Sequence, residues 1–255
     1  MATPRPNHGM PLRTLLEDPA FVVIEKPAGT VSEPGLGHAD DSVMNAAFAR
    51  WGAELAPLGE ARDHGLVHRL DRDTGGAMVV ARSAAAYDAL RAQFEARTVG
   101  KRYLALVEGK PPRGEGLADR ALEEVRRGDM KVSIVNRRGG GRPARTRWRT
   151  VGHAGGRTLL DVEIETGRLH QIRAHMADLG CPVVGDRVYR VDLPPNTGSA
   201  PRGKGPTLAL HAWELSFAHP ATGARVCVRA PIPEAFLALV AACGIVLPRE
   251  MRPLA

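Results

Sequence analysis

Several kinds of residue are scarce in this chain of 255 residues, and each scarcity narrows its function. The three cysteines stand far apart with no Cys-x-x-Cys pair, which is typical of reduced thiols and argues against a disulfide framework. Only 4% of the residues are aromatic, so a stacking platform for single-stranded nucleic acid is not indicated. No apolar run reaches membrane-spanning length, and the first residues show no signal peptide. We therefore expect a cytoplasmic protein without a membrane segment.

Lysine is scarce as well, but arginine is abundant, and thirty arginines beside five lysines contribute to a net charge of +7. Such an excess suggests a polyanionic partner, because each phosphate that is contacted releases counterions. An arginine-rich proteome would give the same excess, so charge alone only favours nucleic acid. With no internal repeat and no convincing linker, we expect one domain over residues 1–255, with a loose arm at 1–13 and a loose tail at 248–255.

The densest group of reactive side chains occupies residues 68–76, with the sequence HRLDRDTGG. An apolar run at 77–81 follows and is typical of a buried strand, so the group lies on a loop next to a sheet. Taken alone, this loop is better explained as a solvated turn with an internal ion pair, and the functional interpretation depends on a second cluster. A protein-kinase catalytic loop does not fit, because Leu70 separates Arg69 from Asp71 and no Asp-Phe-Gly or glycine-rich phosphate loop is present.

A second cluster lies at residues 165–176, with the sequence ETGRLHQIRAHM. Apolar residues recur at helical spacing from 169 to 179, and Gly180 supplies a stop. Arg173 falls beside Leu169 on the shoulder of this apolar stripe. A guanidinium there is partly desolvated and needs a carboxylate partner.

The remaining pattern predicts further helices and strands around the two clusters. Helices are expected after a cap at Asp41 or Ser42, after a cap at Ser83, and at 233–242. Strands are expected at 21–24, 78–81, 101–109, 143–151, 157–165, 208–217 and 224–229. Residues 110–128 and 194–205 are interpreted as loops, and the basic, glycine-rich stretch 137–142 as a flexible hairpin tip suited to contact phosphates.

Four motifs follow one another along the chain in a recognisable order and spacing. They are His68-Arg69-Leu70-Asp71-x-x-Thr74-x-Gly76, Lys101-x-Tyr103, Thr166-Gly167-Arg168-x-His170-Gln171-Ile172-Arg173-x-His175 and Gly185-Asp186-x-x-Tyr189. Together they resemble the RluA family of RNA pseudouridine synthases, over residues 21–231. The resemblance implies the pseudouridine-synthase fold, an α+β architecture in which helices and loops flank a bent, mostly antiparallel mixed sheet with a central active-site cleft.

The same resemblance implies an isomerase that converts specific uridines of structured RNA, in 23S ribosomal RNA or transfer RNA, to pseudouridine. This reaction breaks the N1–C1′ bond, rotates the uracil and joins C5 to C1′. No redox step or group donor is involved, so neither a cofactor nor a metal is expected. One ionised carboxylate must attack C1′ or the ring, or remove the 2′ proton, and the sequence leaves these routes open.

The resemblance also implies a role for each candidate residue. Asp71, rather than Asp73, is the catalytic carboxylate, with Arg173 as its cationic partner and Tyr103 against the target base. Because the uridine must leave its stack, Arg69 is expected to occupy the vacated space. The further substrate-binding candidates are His68, Thr74, Arg168 and His170, the last two as structural or phosphate contacts.

Other expectations concern partners and rival functions. We expect a monomer without an obligate protein partner, and no small RNA-binding module before the Phe21 strand. A non-catalytic RNA-binding or ribosome-assembly factor is disfavoured, because binding alone requires no carboxylate facing phosphates. A metal site built from His170, His175 and Cys181 is disfavoured by the five-residue step between the histidines. A metal-dependent hydrolase that uses the His and Asp residues is a separate alternative, which predicts inhibition by chelators. The role of Arg190, where the family usually has glycine, stays open.

Overall fold

The structure is a computed structural model that describes residues 1–128, 130–189 and 208–251. The described strands are β1 (Arg13–Glu17), β2 (Phe21–Lys26), β3 (Gly75–Ala81), β4 (Gly100–Glu108), β5 (Glu115–Asp119), β6 (Leu122–Arg127), β7 (Met130–Val135), β8 (Arg145–Ala154), β9 (Arg157–Ile164), β10 (Leu210–Ala218) and β11 (Arg225–Arg229). The described helices are α1 (Val43–Leu55), α2 (Ala84–Glu95), α3 (Gln171–Asp178) and α4 (Glu234–Ala242). The loop expected at 194–205 and Arg190 lie outside the described residues.

The chain divides into two compact units, which we describe separately. The first unit comprises residues 1–101 and 212–231, and the second comprises residues 102–211 and 232–255. The expectation of a single domain over residues 1–255 stays a prediction. The α+β class and the mostly antiparallel mixed sheet are confirmed.

In the first unit the strands lie in the order β1-β2-β3-β10, and β11 pairs with β10. The central strands β2 and β3 are buried on both faces, as their continuous apolar sequences predict. Alternate residues of β2 and β3 pack into two separate hydrophobic cores, one on each face of the sheet. Phe21, Val23 and Val79 pack on one face with Leu90 of α2. Val22, Ile24, Met78 and Val80 pack on the other face with Phe48, Trp51 and Leu55 of α1. The loop at residues 68–74 therefore leads directly into a rigid strand.

The predicted helix starts in this unit are confirmed. The Ser42 hydroxyl accepts a hydrogen bond from the Asn45 amide, and the Asn45 side-chain oxygen accepts one from the Ser42 amide, which forms a capping box. Ser83 caps α2 by accepting a hydrogen bond from the Ala86 amide at 3.2 Å. Each cap satisfies a main-chain donor that the helix itself leaves unpaired.

The first residues, for which the sequence predicts a loose arm, contact α1 and the residues before it. The Asn45 side-chain amide donates to the Arg5 carbonyl at 2.7 Å, and the Asn7 amide donates to the Asn45 carbonyl at 3.0 Å. The Asn7 side chain also binds the Asp40 carbonyl at 2.8 Å. The buried side chain of Asn45 thus ties the arm to α1, a contact that proline and arginine content could not reveal.

In the second unit the strands lie in the antiparallel order β4-β9-β8-β5, and β6 and β7 form a separate two-stranded hairpin. The interpretation of residues 110–128 as a loop is therefore wrong, because β5 and β6 occupy most of it. Only a few residues of these strands are buried, among them Ala118 and Leu122, so their alternation is hidden among charged side chains.

The glycine-rich stretch 137–142 is not a hairpin tip. It joins β7 to β8, which belong to different sheets, and Arg142 exchanges two main-chain hydrogen bonds with Leu122. Within the stretch predicted as a loose C-terminal tail, Arg249–Met251 forms a 3₁₀ turn in which Met251 is buried, and the looseness of the tail stays a prediction.

Among the described residues, no helix is long and apolar enough to cross a membrane.

Candidate active site

The loop that carries Asp71 is held on both sides through its main chain. On one side, the Ser32 hydroxyl donates to the Leu70 carbonyl at 2.9 Å and accepts from the Leu70 amide at 3.1 Å. On the other side, the Arg72 carbonyl accepts from the Gly29 amide at 2.8 Å. The Asp71 carbonyl closes the turn by accepting from the Thr74 amide at 3.1 Å. Asp71 is half-buried between these fixed neighbours.

Lys26 adds a buried cation beneath this loop. Its ammonium donates to the carbonyls of Pro27 (3.0 Å), Arg72 (2.8 Å) and Thr30, so each of its three protons meets an acceptor. Burial lowers the pKa of Lys26 to about 8, against the opposing attraction of Asp71 and Asp73. Lys26 therefore couples the turn after β2 to the backbone beside Asp71, a role that the sequence did not predict.

His68 is fixed as a neutral hydrogen-bond acceptor. Its ring stacks on Phe94 with the centroids 4.7 Å apart, and its Nε2 accepts from the Val79 amide at 3.1 Å. Burial, with a smaller contribution from the Lys101 charge, lowers the pKa of His68 to about 3. These contacts lie within the first unit, and the substrate contact expected of His68 stays a prediction.

Two neighbours of Asp71 differ in their exposure. Arg69 is an exposed side chain that forms an ion pair with Glu33. The Thr74 hydroxyl is buried, and among the described residues no atom forms a hydrogen bond with it. The strand behind them admits only glycine at position 76, because a Cβ there would lie 2.1 Å from the Ala212 carbonyl oxygen and the φ angle is +129°.

In the second unit, Arg173 forms a buried bidentate ion pair with Asp186. The distances are 2.7 Å from Nε to Oδ2 and 3.1 Å from Nη2 to Oδ1, and only 6% and 0% of the two side chains are exposed. Asp186 Oδ1 also accepts the amides of Val188 (2.8 Å) and Tyr189 (3.1 Å). The carboxylate that the position of Arg173 demanded is therefore present, and it is Asp186.

Tyr189 continues this network. Its ring lies 5.2 Å from the Arg173 guanidinium carbon, and its hydroxyl accepts a hydrogen bond from the Ser133 amide at 2.9 Å. The same hydroxyl lies 3.2 Å from Nδ1 of His170. His170 adopts a left-handed conformation immediately before α3, with φ of +52°. The predicted helix thus begins two residues later than the apolar spacing suggested.

Gln171 joins α3 to β8 with its whole side-chain amide. Its Oε1 accepts from the Thr166 hydroxyl (2.7 Å) and the Arg168 amide (3.1 Å), and its Nε2 donates to the Arg145 carbonyl (2.9 Å) and the Thr146 hydroxyl (3.0 Å). All four hydrogen-bonding positions of this buried amide are satisfied. The chain after β9 is consequently fixed at the start of the helix that carries Arg173.

His175 is a structural residue of the same helix. Its Nδ1 lies 2.8 Å from the Thr146 hydroxyl and its Nε2 lies 3.0 Å from the Arg120 carbonyl, so both nitrogens are engaged. Burial lowers the pKa of His175. Since the nitrogens of His175 are bound to protein atoms, the zinc site imagined with His170 and Cys181 is not formed. Among the described residues, no group of three or more His, Cys, Asp or Glu side chains could hold a metal ion.

The other two candidates of this unit occupy the strand and the connection before α3. Tyr103 is buried on β4, opposite Val162 of β9. Arg168 donates from Nε to the Pro143 carbonyl at 3.2 Å, which supports a structural contribution.

The first unit thus brings together His68, Arg69, Asp71 and Thr74, and the second carries Tyr103, Arg168, His170 and Arg173. The pairing of Asp71 with Arg173 joins residues of different units and stays a prediction. Sequence reasoning did not assign roles to Lys26, Asp186 and Gln171. The sequence did contain a signal for Asp186. A guanidinium on a buried helix face requires a carboxylate, and Asp186 lies in the motif Gly185-Asp186-x-x-Tyr189.

Comparisons with known proteins identify the family of this chain. Residues 20–178 match the family described as RNA pseudouridylate synthase. The ribosomal large subunit pseudouridine synthase D of Xanthomonas campestris is 41% identical over 243 residues, which cover 91% of this chain and 70% of that protein. The ribosomal large subunit pseudouridine synthase D of Pseudomonas aeruginosa is 38% identical over 234 residues, which cover 90% of this chain and 71% of that protein.

Solved structures show the same fold. Human RNA pseudouridylate synthase domain containing 4 aligns with a TM-score of 0.69 at 23% identity, over 93% of this chain and 95% of that one. Human RNA pseudouridylate synthase domain containing 1 aligns with a TM-score of 0.67 at 25% identity, over 91% and 87%. With its motifs, its fold and these relatives in agreement, the chain belongs to the RluA family of RNA pseudouridine synthases, isomerases that convert uridine in RNA to pseudouridine.

Proposed function

We propose that this protein isomerises a uridine of large-subunit ribosomal RNA, with Asp71 as the catalytic carboxylate. The relatives in Xanthomonas campestris and Pseudomonas aeruginosa are named as synthases of the ribosomal large subunit, which supports ribosomal RNA over transfer RNA as the substrate. We further propose that the enzyme acts as a cytoplasmic monomer and needs no cofactor, since the reaction transfers neither electrons nor a donated group.

The observation that carries the choice of Asp71 is the fixation of the main chain on both sides of it. Leu70 is bound through its amide and carbonyl, and Arg72 through its carbonyl, so the Cα of Asp71 is held without relying on its carboxylate. A reacting group gains rate from being pre-positioned. Asp73, in contrast, forms an ion pair with Arg72 at the exposed surface, 3.1 Å from Nε to Oδ1.

Arg173 is proposed as the group that keeps Asp71 ionised once RNA excludes water from the site. An adjacent guanidinium favours the charged form of a carboxylate, which opposes the effect of desolvation. Asp186 holds Arg173 through Nε and Nη2, which fixes the plane of the guanidinium.

The target uridine is proposed to leave its stack before it reacts. Arg69 is suited to fill the vacated space, because its exposed guanidinium is held only by a surface ion pair with Glu33 within the first unit. Breaking such a pair costs about 0 to 1 kcal/mol, which is small beside the stacking of a planar guanidinium on a base. Tyr103 is proposed to pack against the flipped uracil. Thr74, Arg168 and His170 remain proposed substrate contacts, and His68 supports the loop.

The test is pseudouridine mapping on total RNA from cells with and without the gene. We expect one or more sites in large-subunit ribosomal RNA to disappear with the gene and to return when the wild-type protein is supplied. The Asp71→Ala variant should restore no site while binding RNA nearly as tightly as the wild type. The Asp73→Ala variant, which changes the neighbouring carboxylate, should restore all of them.

Three results would contradict parts of this proposal. If the pseudouridines that disappear lie only in transfer RNA, the substrate is transfer RNA and not large-subunit ribosomal RNA. If the Asp71→Ala variant still forms pseudouridine, Asp71 is not the catalytic carboxylate. An unchanged pseudouridine map together with tight RNA binding would favour the rival non-catalytic assembly factor.

A further inference from the structure

The second unit contains a pocket of about 370 Å³ between the β6–β7 hairpin and α3. Its walls come from Ser133 and Val135 of β7, Ala174 and Ala177 of α3, and Tyr189. The volume falls within the range of small-ligand sites, about 300 to 1,000 Å³. The small side chains of Ala174 and Ala177 leave this space open on the helix side.

A buried hydroxyl at this pocket has no protein partner. Ser133 is fully buried, and among the described residues no atom forms a hydrogen bond with its Oγ. Burying a hydroxyl without a hydrogen bond costs about 1 to 3 kcal/mol, so a ligand that supplies the bond gains by it. The Ser133 main chain, in contrast, is satisfied by the Tyr189 hydroxyl. The orphan group is therefore the side chain alone.

The charges around the pocket favour an anionic ligand. Arg127 and Arg137 both line it. The one acidic side chain among the lining residues, Asp178, lies between Arg137 and Arg120 and is compensated by them. The local balance is positive, and the guanidinium groups offer the planar donor geometry that suits phosphate oxygens.

We propose that this pocket binds a second nucleotide of the substrate RNA, distinct from the target uridine, with its base beside Ser133 and its phosphate near Arg127 and Arg137. The inference rests on the proposed function, since it takes RNA as the substrate. A nucleobase offers the polar edge that the Ser133 hydroxyl lacks, and its apolar faces suit the alanine side chains.

The site shares one wall with the predicted active site. Tyr189 lines the pocket and also packs on Arg173, the proposed partner of Asp71. Occupation of the pocket would therefore fix Tyr189 and, through it, the guanidinium plane. This connection gives the second nucleotide a route by which sequence context influences the reaction.

The experiment measures equilibrium binding and steady-state turnover with a fluorescein-labelled transcript of large-subunit ribosomal RNA. Three variants test the pocket: Ser133→Ala removes the orphan hydroxyl, Arg127→Ala removes a cation, and Ala177→Leu fills the space. Each is expected to weaken RNA binding about three- to tenfold and to raise KM more than it lowers kcat. Arg113→Ala, an exposed arginine outside the pocket, is the matched control.

Ser133→Ala separates a ligand contact from a structural role. Because the hydroxyl has no described partner, its removal should not lower the midpoint of urea unfolding, even though RNA binding weakens. A structural role predicts the reverse. Abasic nucleotides are placed in turn at each non-target position of the transcript. At one position the abasic nucleotide should weaken binding to the wild type several-fold, whereas it should not weaken binding to Ala177→Leu any further.

The outcomes distinguish this inference from the proposed function. RNA binding and KM equal to wild type in all three variants would overturn the pocket assignment while leaving the isomerase intact. Adenosine 5′-monophosphate serves as a free-nucleotide probe of the pocket. The assignment would also be overturned if this nucleotide bound to the pocket while none of the three variants changed RNA affinity. A wild-type protein that binds the transcript but forms no pseudouridine would refute the proposed function alone, and the binding arm would still decide the pocket.

Discussion

The surroundings of Asp71 and of Arg173 are built in opposite ways. Around Asp71, the contacts within its unit are made by main-chain atoms of the flanking residues, with Ser32 and Lys26 as side-chain donors and acceptors. Around Arg173, the contacts are made by the side chain itself, through a buried bidentate pair with Asp186. The first design positions Asp71 through the main chain of its neighbours. The second immobilises a cation whose proposed task is electrostatic.

The difference also predicts how each region responds to substitution. Loss of a charge from a buried ion pair leaves its partner desolvated and unpaired, which is costly. Loss of a side chain that holds a loop leaves carbonyls unsatisfied and lets the loop move, which affects positioning more than folding. Three replacements test this contrast, ordered by their expected effect on the free energy of unfolding.

Asp186→Ala should have the largest effect. It leaves the Arg173 guanidinium buried beside a cavity, and we expect the free energy of unfolding to fall by about 3 to 5 kcal/mol, measured by urea denaturation. The matched control is Asp88→Ala, which breaks the equally bidentate but exposed pair with Arg62 and should lower the free energy of unfolding far less, because solvent screens that pair. Adding Arg173→Met to Asp186→Ala should restore part of the loss. Equal costs at Asp186 and Asp88 would contradict the importance of burial.

Lys26→Met should have an intermediate effect on stability and a larger one on turnover. Three carbonyls lose their donor, but a buried charge is removed as well, so we expect a loss of about 2 kcal/mol. Because the Arg72 carbonyl then loses the Lys26 donor and keeps the Gly29 amide alone, the turn beside Asp71 is held less firmly, and kcat should fall about tenfold or more while RNA affinity changes little. Lys110→Met, at an exposed position, should change neither quantity. A loss of RNA affinity with unchanged kcat would contradict a positioning role.

His68→Gln should have the smallest effect, visible in acid. The pKa of folded His68 lies near 3, far below the ordinary value of 6.5, so between pH 6.5 and 3 the unfolded chain takes up a proton that the folded chain does not. Stability from this group is therefore present above pH 6.5 and is lost as the pH falls. A glutamine keeps an acceptor for the Val79 amide without titrating, and the variant should lose about 1 kcal/mol less than the wild type between pH 7 and about pH 5.7.

Stability curves measured at several pH values check this prediction, and His8→Gln, at an exposed position, is the matched replacement. Parallel curves for the wild type and His68→Gln would show that the ring is protonated in the folded protein. The neutral acceptor role of His68 would then be wrong.

Local patterns predicted much of the framework of this protein. The apolar runs of β2 and β3 and the caps Ser42 and Ser83 were confirmed, because burial on both faces and capping each leave a signature within a few neighbouring residues. Polar strands such as β5 and β6 were missed, because a strand with only one or two buried residues resembles a loop.

The candidate site divides in the same manner. The motifs around Asp71 and Arg173 identified the family without any coordinates, because reacting groups and their neighbours occupy fixed spacings along the chain. The sequence also showed that Arg173 needed a carboxylate, but only the tertiary structure decided that Asp186 supplies one and that Lys26 holds the Arg72 carbonyl. Such contacts join residues distant in the chain, and their energy depends on burial and geometry, which exist only once the chain has folded.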